Sequence, residues 1–243
     1  MSIEVYESPQ ELAEAAARDF AARAEEAVGR RSRFVVALAG GSTPEATYEA
    51  LAREYAGSSF WSSTHVFFGD ERPVPPDHED SNYRMAETAL LRHVSPASVH
   101  RMRGELPPAQ AAREYEQDLR GLFGDEGGLP VFDLVHLGLG DDGHTASLFP
   151  GTAALDTGDR WAVENPVEKL GVTRLTLTAP AINAARAVHF LVAGEGKADA
   201  VKEVLQGDAD PREYPAKLIR PAGELAWLLD RAADGRLDHQ EKN

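Results

Sequence analysis

The chain has 243 residues and a formal net charge of −15, and 42% of its residues are hydrophobic and 27% charged. This length suits one large α/β domain or two small ones, and the composition excludes disordered and membrane-spanning classes. The excess of acidic residues argues against nucleic acid and anionic membranes as partners, because both require a basic face. A small anionic substrate remains possible, since charges more than about 8 Å from a site are largely screened at physiological ionic strength.

The sequence also lacks two features that would point to other chemistry or another compartment. It contains no cysteine, which excludes disulfides, thiolate nucleophiles and cysteine-bound metals. The first ten residues, MSIEVYESPQ, carry no apolar segment of the kind found in export signals. We therefore expect a cytoplasmic protein.

The pattern of apolar residues predicts strands that alternate with helices. The predicted helices cover residues 9–29, 44–55, 81–94, 107–124 and 197–207, and the predicted strands cover 33–40, 65–71, 132–140, 174–178, 187–194 and 225–230. Such alternation implies crossover connections and a mostly parallel sheet with helices on both faces. We predict one α/β domain over residues 1–243, with a frayed tail at 238–243.

Three loops at the predicted strand ends are the places to look for a site, because ligands of open parallel sheets bind outside the carboxyl ends of the strands. The first loop, GGSTPE, has Gly40 and Gly41 for close backbone approach and hydroxyls on Ser42 and Thr43. A helix that starts at Pro44 would add amide groups and a partial positive charge, which together favour an anion. The loop is neither a P-loop nor a nucleophile elbow, and the alternative is a tight turn with a capping serine.

The second loop, GDERPVP, places Asp70, Glu71 and Arg72 directly after a predicted strand. An arginine that faces a glycine-rich loop can clamp a phosphate or stabilise developing oxyanion charge. The alternative is a solvated turn in which Arg72 pairs with an acid.

The third loop, GLGDDGHT, contains the pattern G-x-G-x-x-G of dinucleotide-binding loops. Asp141 and Asp142 would lie where pyrophosphate charge should go, and Pro150 limits the following helix to about one and a half turns. No second histidine or cysteine stands at metal-ligand spacing nearby. Acid–base chemistry remains, in which Asp142 would orient the ring of His144 and support its charged form. The alternative is a loop histidine without a role.

Other histidines and cations carry weaker signals. His65, His136 and His189 lie in predicted strands, which indicates structural roles. Arg174 opens the strand RLTLT, and Lys197 follows the glycines of GEGK at a predicted strand-to-helix junction. Both cations could be ordinary surface charges, but in so acidic a chain their position at strand ends favours anion binding.

Taken together, these segments resemble the 6-phosphogluconolactonase family, within the glucosamine/galactosamine-6-phosphate isomerase superfamily. The segments are LAGGSTP, FFGDERPVPPDHEDSNYRMA, LGLGDDGHTASLFPGT, RLTLTAPAIN, GEGKADAV and YPAKLIRPAGELAWLLD. The resemblance implies a Rossmann-like three-layer α/β sandwich with a mostly parallel central sheet. It further implies a cytoplasmic enzyme of the pentose phosphate pathway that hydrolyses 6-phospho-D-glucono-1,5-lactone to 6-phospho-D-gluconate without a metal or organic cofactor.

The resemblance also assigns roles to residues. It makes His144 the general base and Asp142 its helper, while Arg72 stabilises charge near the carbonyl and Asp70 lines the same cleft. The residues that it implies for binding the sugar phosphate are Gly40, Gly41, Ser42, Thr43, Arg174 and Lys197.

Two other functions compete with lactone hydrolysis. A glucosamine-6-phosphate isomerase or deaminase would carry a glutamate where this chain has Phe149, and an apolar ring cannot transfer protons. A non-catalytic sugar-phosphate sensor would need an output domain for which this chain has no room. We expect a monomer or a weak dimer whose partner is the sugar-phosphate substrate.

Overall fold

The computed structural model describes residues 1–124 and 128–238, and its largest element is a parallel sheet. Its strands are β1 (Ser2–Tyr6), β2 (Phe34–Leu38), β3 (Thr64–Phe68), β5 (Ser98–Val99), β6 (Leu134–Leu137), β9 (Ala187–Val192) and β10 (Glu224–Asp230). Within the described residues these seven strands lie in the order β1-β10-β9-β6-β2-β3-β5, and every neighbouring pair is parallel.

Helices cover both faces of this sheet. They are α1 (Pro9–Arg31), α2 (Ser42–Tyr55), α3 (Asn82–Ala89), α4 (Pro108–Phe123), α5 (Ala179–Asn183), α6 (Ala198–Gln206) and α7 (Arg231–Asp234). Phe20 of α1 and Tyr48 of α2 pack with Val36 on one face, and Tyr115 of α4 and Val201 of α6 belong to the core on the other. Near-continuous apolar strands such as β2 are expected where both faces of a sheet are covered. The predicted three-layer α/β fold is confirmed.

A second, antiparallel sheet was not predicted. It contains β4 (Asp70–Glu71), β8 (Val172–Leu177) and β7 (Ala162–Val167), in the order β4-β8-β7. The predicted strand 65–71 is therefore divided at Gly69, whose amide donates to Leu38 O and whose carbonyl accepts from Leu177 N, both at 2.8 Å. The predicted strand 174–178 lies in this second sheet and does not extend the central one.

Three local expectations also need correction. The first helix continues past Gly29 to Arg31 and ends at Ser32, which has a left-handed φ of 59°. No helix follows Gly143: the segment forms turns, because Ala146 has a φ of 48° that interrupts a right-handed helix. Of the predicted frayed tail, only Asp238 lies within the described residues, and it accepts a hydrogen bond from Lys202 Nζ at 3.0 Å.

The strand order also determines where a site can form. From β2 the chain passes to β3 on one side of the sheet and later returns to β6 on the other. A crevice opens between the carboxyl ends of such diverging strands. Across the described ranges, no helix has the length and apolar character needed to cross a bilayer.

Candidate active site

The three loops predicted to form a site meet in a cleft of about 190 Å³ at the carboxyl ends of the central strands. The predicted site residues that line it are Gly40, Asp70, Arg72, His144, Arg174 and Lys197. The cleft therefore joins loops that follow β2, β6 and β9 with side chains from the antiparallel sheet, Asp70 on β4 and Arg174 on β8.

The loop after β2 forms the start of α2. This helix begins at Ser42, two residues before the predicted Pro44, with Gly41 as its N-cap at φ 103°. Gly41, Ser42 and Thr43 do not line the cleft, but they directly follow Gly40, which does. The first amides of a helix have no acceptor within the helix, so this turn presents donors beside the cleft.

Asp70 is a buried residue of the cleft lining, and both its carboxylate oxygens are fixed. Asn82 Nδ2 donates to its Oδ1 at 3.1 Å, and Ser147 Oγ donates to its Oδ2 at 2.6 Å. A Cβ at Gly40 would lie 1.8 Å from Asn82 Oδ1, so the loop after β2 can approach this group only with a glycine there. Sequence reasoning missed Asn82 and Ser147, because ordinary polar residues in loops carry no pattern that marks them.

Glu71, the next residue, is buried and organises the loop instead of reaching into the cleft. Its carboxylate accepts hydrogen bonds from the amides of Arg72, Asn82 and Tyr83 and from Ser81 Oγ, at 2.8–3.0 Å. Burial raises the pKa of Glu71, while these hydrogen bonds act in the opposite direction. The carboxylate thus ties the second loop, with the backbone of Arg72, to the start of α3.

Two guanidinium groups lie near each other in the cleft. Burial lowers the pKa of Arg174, and the charge of the neighbouring Arg72 lowers it further. Arg72 Nη1 donates to the carbonyl of Asp80, and within the described residues neither arginine forms an ion pair. Arg174 Nε is buried without a hydrogen-bond partner there. Two mutually repelling cations with unused donors favour a ligand that carries more than one negative charge.

Lys197 brings a third cation to the cleft from the 3₁₀ turn Glu195–Lys197, which precedes α6. Its ammonium pairs with Asp141 in the third loop. Asp141 is mostly exposed, so this pair can open in favour of an incoming anion.

The third loop holds His144 through Asp142. His144 Nδ1 lies 2.5 Å from Asp142 Oδ1, which also accepts from the His144 amide at 3.2 Å. The second oxygen of Asp142 pairs with Lys169, from the hairpin between β7 and β8. A carboxylate on Nδ1 fixes the tautomer that carries its proton there, which leaves Nε2 as an acceptor.

The ring of His144 is also held on its faces. Phe149 stacks on it at a centroid distance of 4.1 Å, and a Cβ at Gly140 would lie 2.0 Å from its Nδ1. Gly140 in the third loop therefore makes room for the imidazole ring. This role accounts for a glycine of the G-x-G-x-x-G pattern without a bound dinucleotide.

The electrostatics of the cleft keep this imidazole neutral. Burial lowers the pKa of His144 to about 4, with Lys197 and Arg174 acting in the same direction and Asp70 and Asp141 against it. Nearby carboxylates act in the expected direction, towards the charged form, but the cost of burying charge outweighs them. At neutral pH the side chain is available to accept a proton.

The other histidines of the sheet lie where the sequence predicts. His65 is in β3, His136 in β6 and His189 in β9. Within residues 1–124 and 128–238, no group of three or more His, Asp or Glu side chains is arranged to hold a metal ion.

Comparison with known proteins gives a consistent result. Residues 7–227 match the family model for glucosamine-6-phosphate isomerases/6-phosphogluconolactonase. The chain is 47% identical over 239 residues to a 6-phosphogluconolactonase of a Synechocystis species, covering 97% of this chain and 98% of that one. It is 41% identical to the human 6-phosphogluconolactonase, covering 95% and 92% of the two chains.

Solved structures agree with the sequence relatives. A 6-phosphogluconolactonase from Trypanosoma brucei superposes with a TM-score of 0.86 at 34% identity, covering 98% of each chain. A monomeric glucosamine-6-phosphate deaminase has a TM-score of 0.79 at 22% identity, and this likeness concerns the fold alone. The chain belongs to the family of glucosamine-6-phosphate isomerases and 6-phosphogluconolactonases.

Proposed function

We propose that this chain hydrolyses 6-phospho-D-glucono-1,5-lactone to 6-phospho-D-gluconate in the pentose phosphate pathway, with His144 as general base. The observation that carries the proposal is a neutral imidazole, oriented by Asp142, in a cleft that also holds Arg72, Arg174 and Lys197. A relative at 47% identity that is named for this activity supports it.

The reaction needs one base and no covalent nucleophile, because a δ-lactone is already an activated ester. His144 Nε2 accepts a proton from water as the water oxygen bonds to the lactone carbonyl carbon. The tetrahedral intermediate then collapses, the bond from that carbon to the ring oxygen breaks, and the imidazolium returns its proton to the leaving oxygen. The carboxylic acid that forms loses its proton to solvent. General base assistance of this kind contributes about 10²–10⁴-fold.

The three cations of the cleft have different roles in substrate binding and catalysis. Arg174 and Lys197 bind the phosphate, together with the amides at the start of α2, beside Gly40, Gly41, Ser42 and Thr43. Arg72 stabilises the carbonyl oxygen as it becomes anionic. Binding energy from a phosphate far from the reacting carbon fixes the orientation of the lactone in the cleft.

Asp70 is a positioning group in this proposal. Both its oxygens are occupied by Asn82 and Ser147, so it holds the walls of the cleft together instead of exchanging protons with substrate. Its charge faces His144 and partly offsets the effect of the surrounding cations.

Deamination of glucosamine 6-phosphate is the weaker alternative. Phe149 packs directly on the His144 ring, and the resemblance to the related deaminases implies a glutamate at this position. An apolar ring there removes the second proton-transfer group that isomerisation requires. We further propose that the protein acts in the cytoplasm as a monomer or weak dimer.

The test is an assay of the purified protein with freshly generated 6-phosphogluconolactone, followed by ³¹P NMR against the spontaneous rate. We expect enzyme-dependent hydrolysis, a much weaker response to D-glucono-1,5-lactone, and no ammonia from glucosamine 6-phosphate. Lactone consumption at the spontaneous rate would refute the proposal, and ammonia release would favour the alternative.

Replacing each phosphate-binding cation separately tests the division of roles. Arg174→Gln and Lys197→Gln should raise KM for the phosphorylated lactone and leave the response to D-glucono-1,5-lactone unchanged. An equal loss with both lactones would show that these cations do not bind the phosphate.

A further inference from the structure

Lys169 lies outside the segments that form the cleft, yet it contacts both side chains that hold His144. It belongs to the 3₁₀ turn Glu168–Leu170, at the tip of the hairpin between β7 and β8. Its ammonium pairs with Asp142 Oδ2, while Asp142 Oδ1 takes His144 Nδ1. The same nitrogen lies 5.0 Å from the centroid of Phe149, whose ring stacks on His144.

We propose that Lys169 is a positioning residue for the general base: it clamps Asp142 and Phe149 so that the His144 ring is held by its edge and by its face. This inference rests on the proposed lactone hydrolysis and adds to it a residue of the antiparallel sheet. The same sheet already supplies Asp70 and Arg174 to the cleft, and through Lys169 its hairpin also reaches the third loop.

The contacts argue against an ordinary surface ion pair. An exposed lysine with a single carboxylate contributes little, because solvent screens the pair. Here the carboxylate has two oxygens with different partners, so Lys169 determines how Asp142 is oriented towards the imidazole. Without the ammonium, Asp142 keeps its contact with Nδ1 but loses the contact that fixes its other oxygen, and the Phe149 ring loses the cation above it.

The ammonium has an electrostatic consequence as well. It competes with the imidazole for the negative charge of Asp142, which disfavours protonation of the ring. The charged groups that face His144 are Asp141 and Asp142 on its own turn, Asp70 on β4, Arg174 on β8, Lys197 before α6 and, through Asp142, Lys169. Removing one cation from this set leaves Asp142 to stabilise the protonated ring, so the pKa of His144 should rise towards its ordinary value.

The experiment compares Lys169→Met with Lys169→Arg, which restores a cation able to reach the same carboxylate. Lys202→Met is the matched control, because Lys202 also pairs with a single aspartate, Asp238, and its side chain is 42% exposed against 51% for Lys169. Lys169 is half exposed, so its replacement leaves no buried cavity, and thermal unfolding checks that each variant is folded.

We expect Lys169→Met to lower kcat by about tenfold or more, as misplaced catalytic groups typically do, with KM unchanged. In the free protein, the NMR titration midpoint of the His144 ring should rise by about one pH unit. Lys169→Arg should recover both quantities, and Lys202→Met should change neither.

Other results would overturn the inference. An unchanged kcat and titration midpoint in Lys169→Met would show that the contacts have no role, and a raised KM with normal kcat would make Lys169 a substrate-binding residue. If the wild-type protein proves inactive on the lactone, the proposed function fails, and the titration of His144 alone still decides whether Lys169 governs the imidazole.

Discussion

Two histidines that border the same cleft, His144 and His136, show why a shifted pKa does not by itself identify a catalytic group. Burial lowers the pKa of both, to about 4 for His144 and about 3 for His136. His144 has a carboxylate on Nδ1 and an exposed side chain fraction of 29%, whereas His136 is fully buried. Neither ring nitrogen of His136 has a hydrogen-bond partner within the described residues.

The comparison separates two uses of burial. Burial keeps the imidazole of His144 neutral, and Asp142 on Nδ1 leaves Nε2 free to act as the base. In His136, whose ring lies 6.1 Å from Tyr48 and 5.9 Å from Phe20, burial makes the imidazole one more aromatic ring of the core. Exposure to the cleft and a carboxylate on Nδ1 therefore distinguish the general base, His144, from the structural histidine, His136. The following predictions test that distinction.

The largest effect is expected for His144→Ala. Removing the base should lower kcat by about 10²–10⁴-fold and leave KM nearly unchanged, because the phosphate contacts remain. Steady-state kinetics on the phosphorylated lactone measure this. His93→Ala, at an exposed histidine outside the cleft, is the control and should behave as wild type. Near-normal turnover by His144→Ala would show that another group is the base.

Asp142→Asn should bring His144 closer to the state of His136, in which no carboxylate holds the ring. The amide can donate to Nδ1, which moves the ring proton to Nε2 and prevents that nitrogen from accepting a proton. We expect kcat to fall by about 10–100-fold, less than the total of about 10²–10⁴-fold that general base assistance contributes, because the ring remains and only its reactive tautomer is disfavoured. If kcat is unchanged, the tautomer is fixed by something other than Asp142.

The smallest effect on activity is expected for His136→Phe. An apolar ring of similar shape removes two unsatisfied buried nitrogens, so the free energy of unfolding should stay equal or rise by up to about 1 kcal/mol at pH 7. Urea unfolding measures this, and kcat should be unchanged. A large loss of kcat would contradict the structural role of His136.

The pH dependence of the same variant sharpens the contrast. The pKa of His136 is lowered in the folded state, so between pH 6.5 and about 3 the unfolded chain binds a proton that the folded chain does not. The free energy of unfolding of the wild-type protein therefore decreases as the pH is lowered through this window. The difference in stability in favour of His136→Phe should grow as the pH falls below 6.5. A constant difference would show that the pKa of His136 is the same in the folded and the unfolded protein.

The sequence was sufficient to predict most of the central sheet and the position of the cleft. Strands such as β2 and β9 are short apolar runs, and the carboxyl ends of parallel strands meet at one edge, so the loops with Gly40, Arg72 and His144 could be placed together. The edge strand β1 was missed because its residues are mostly exposed and its sequence, SIEVY, has no buried run.

The second sheet could not be predicted because it is defined by tertiary contacts. Gly69 ends β3 by bonding to Leu177 across the molecule, and no local signal divides HVFFGDE into two strands. The same holds for Asn82, Ser147 and Lys169, which are ordinary polar residues until the fold brings them to Asp70 and Asp142.

The most direct test of the central claim compares two curves measured on the wild-type protein. One is the pH dependence of kcat, which avoids the titration of the free substrate phosphate near pH 6. The other is the NMR titration of the His144 ring with 6-phospho-D-gluconate bound, because kcat reports the substrate complex and not the free protein. A base with a lowered pKa is neutral above that value, so activity should be lost as pH falls through about 4, where the ring also titrates. An acid limb at another pH than the His144 titration would contradict His144 as the base.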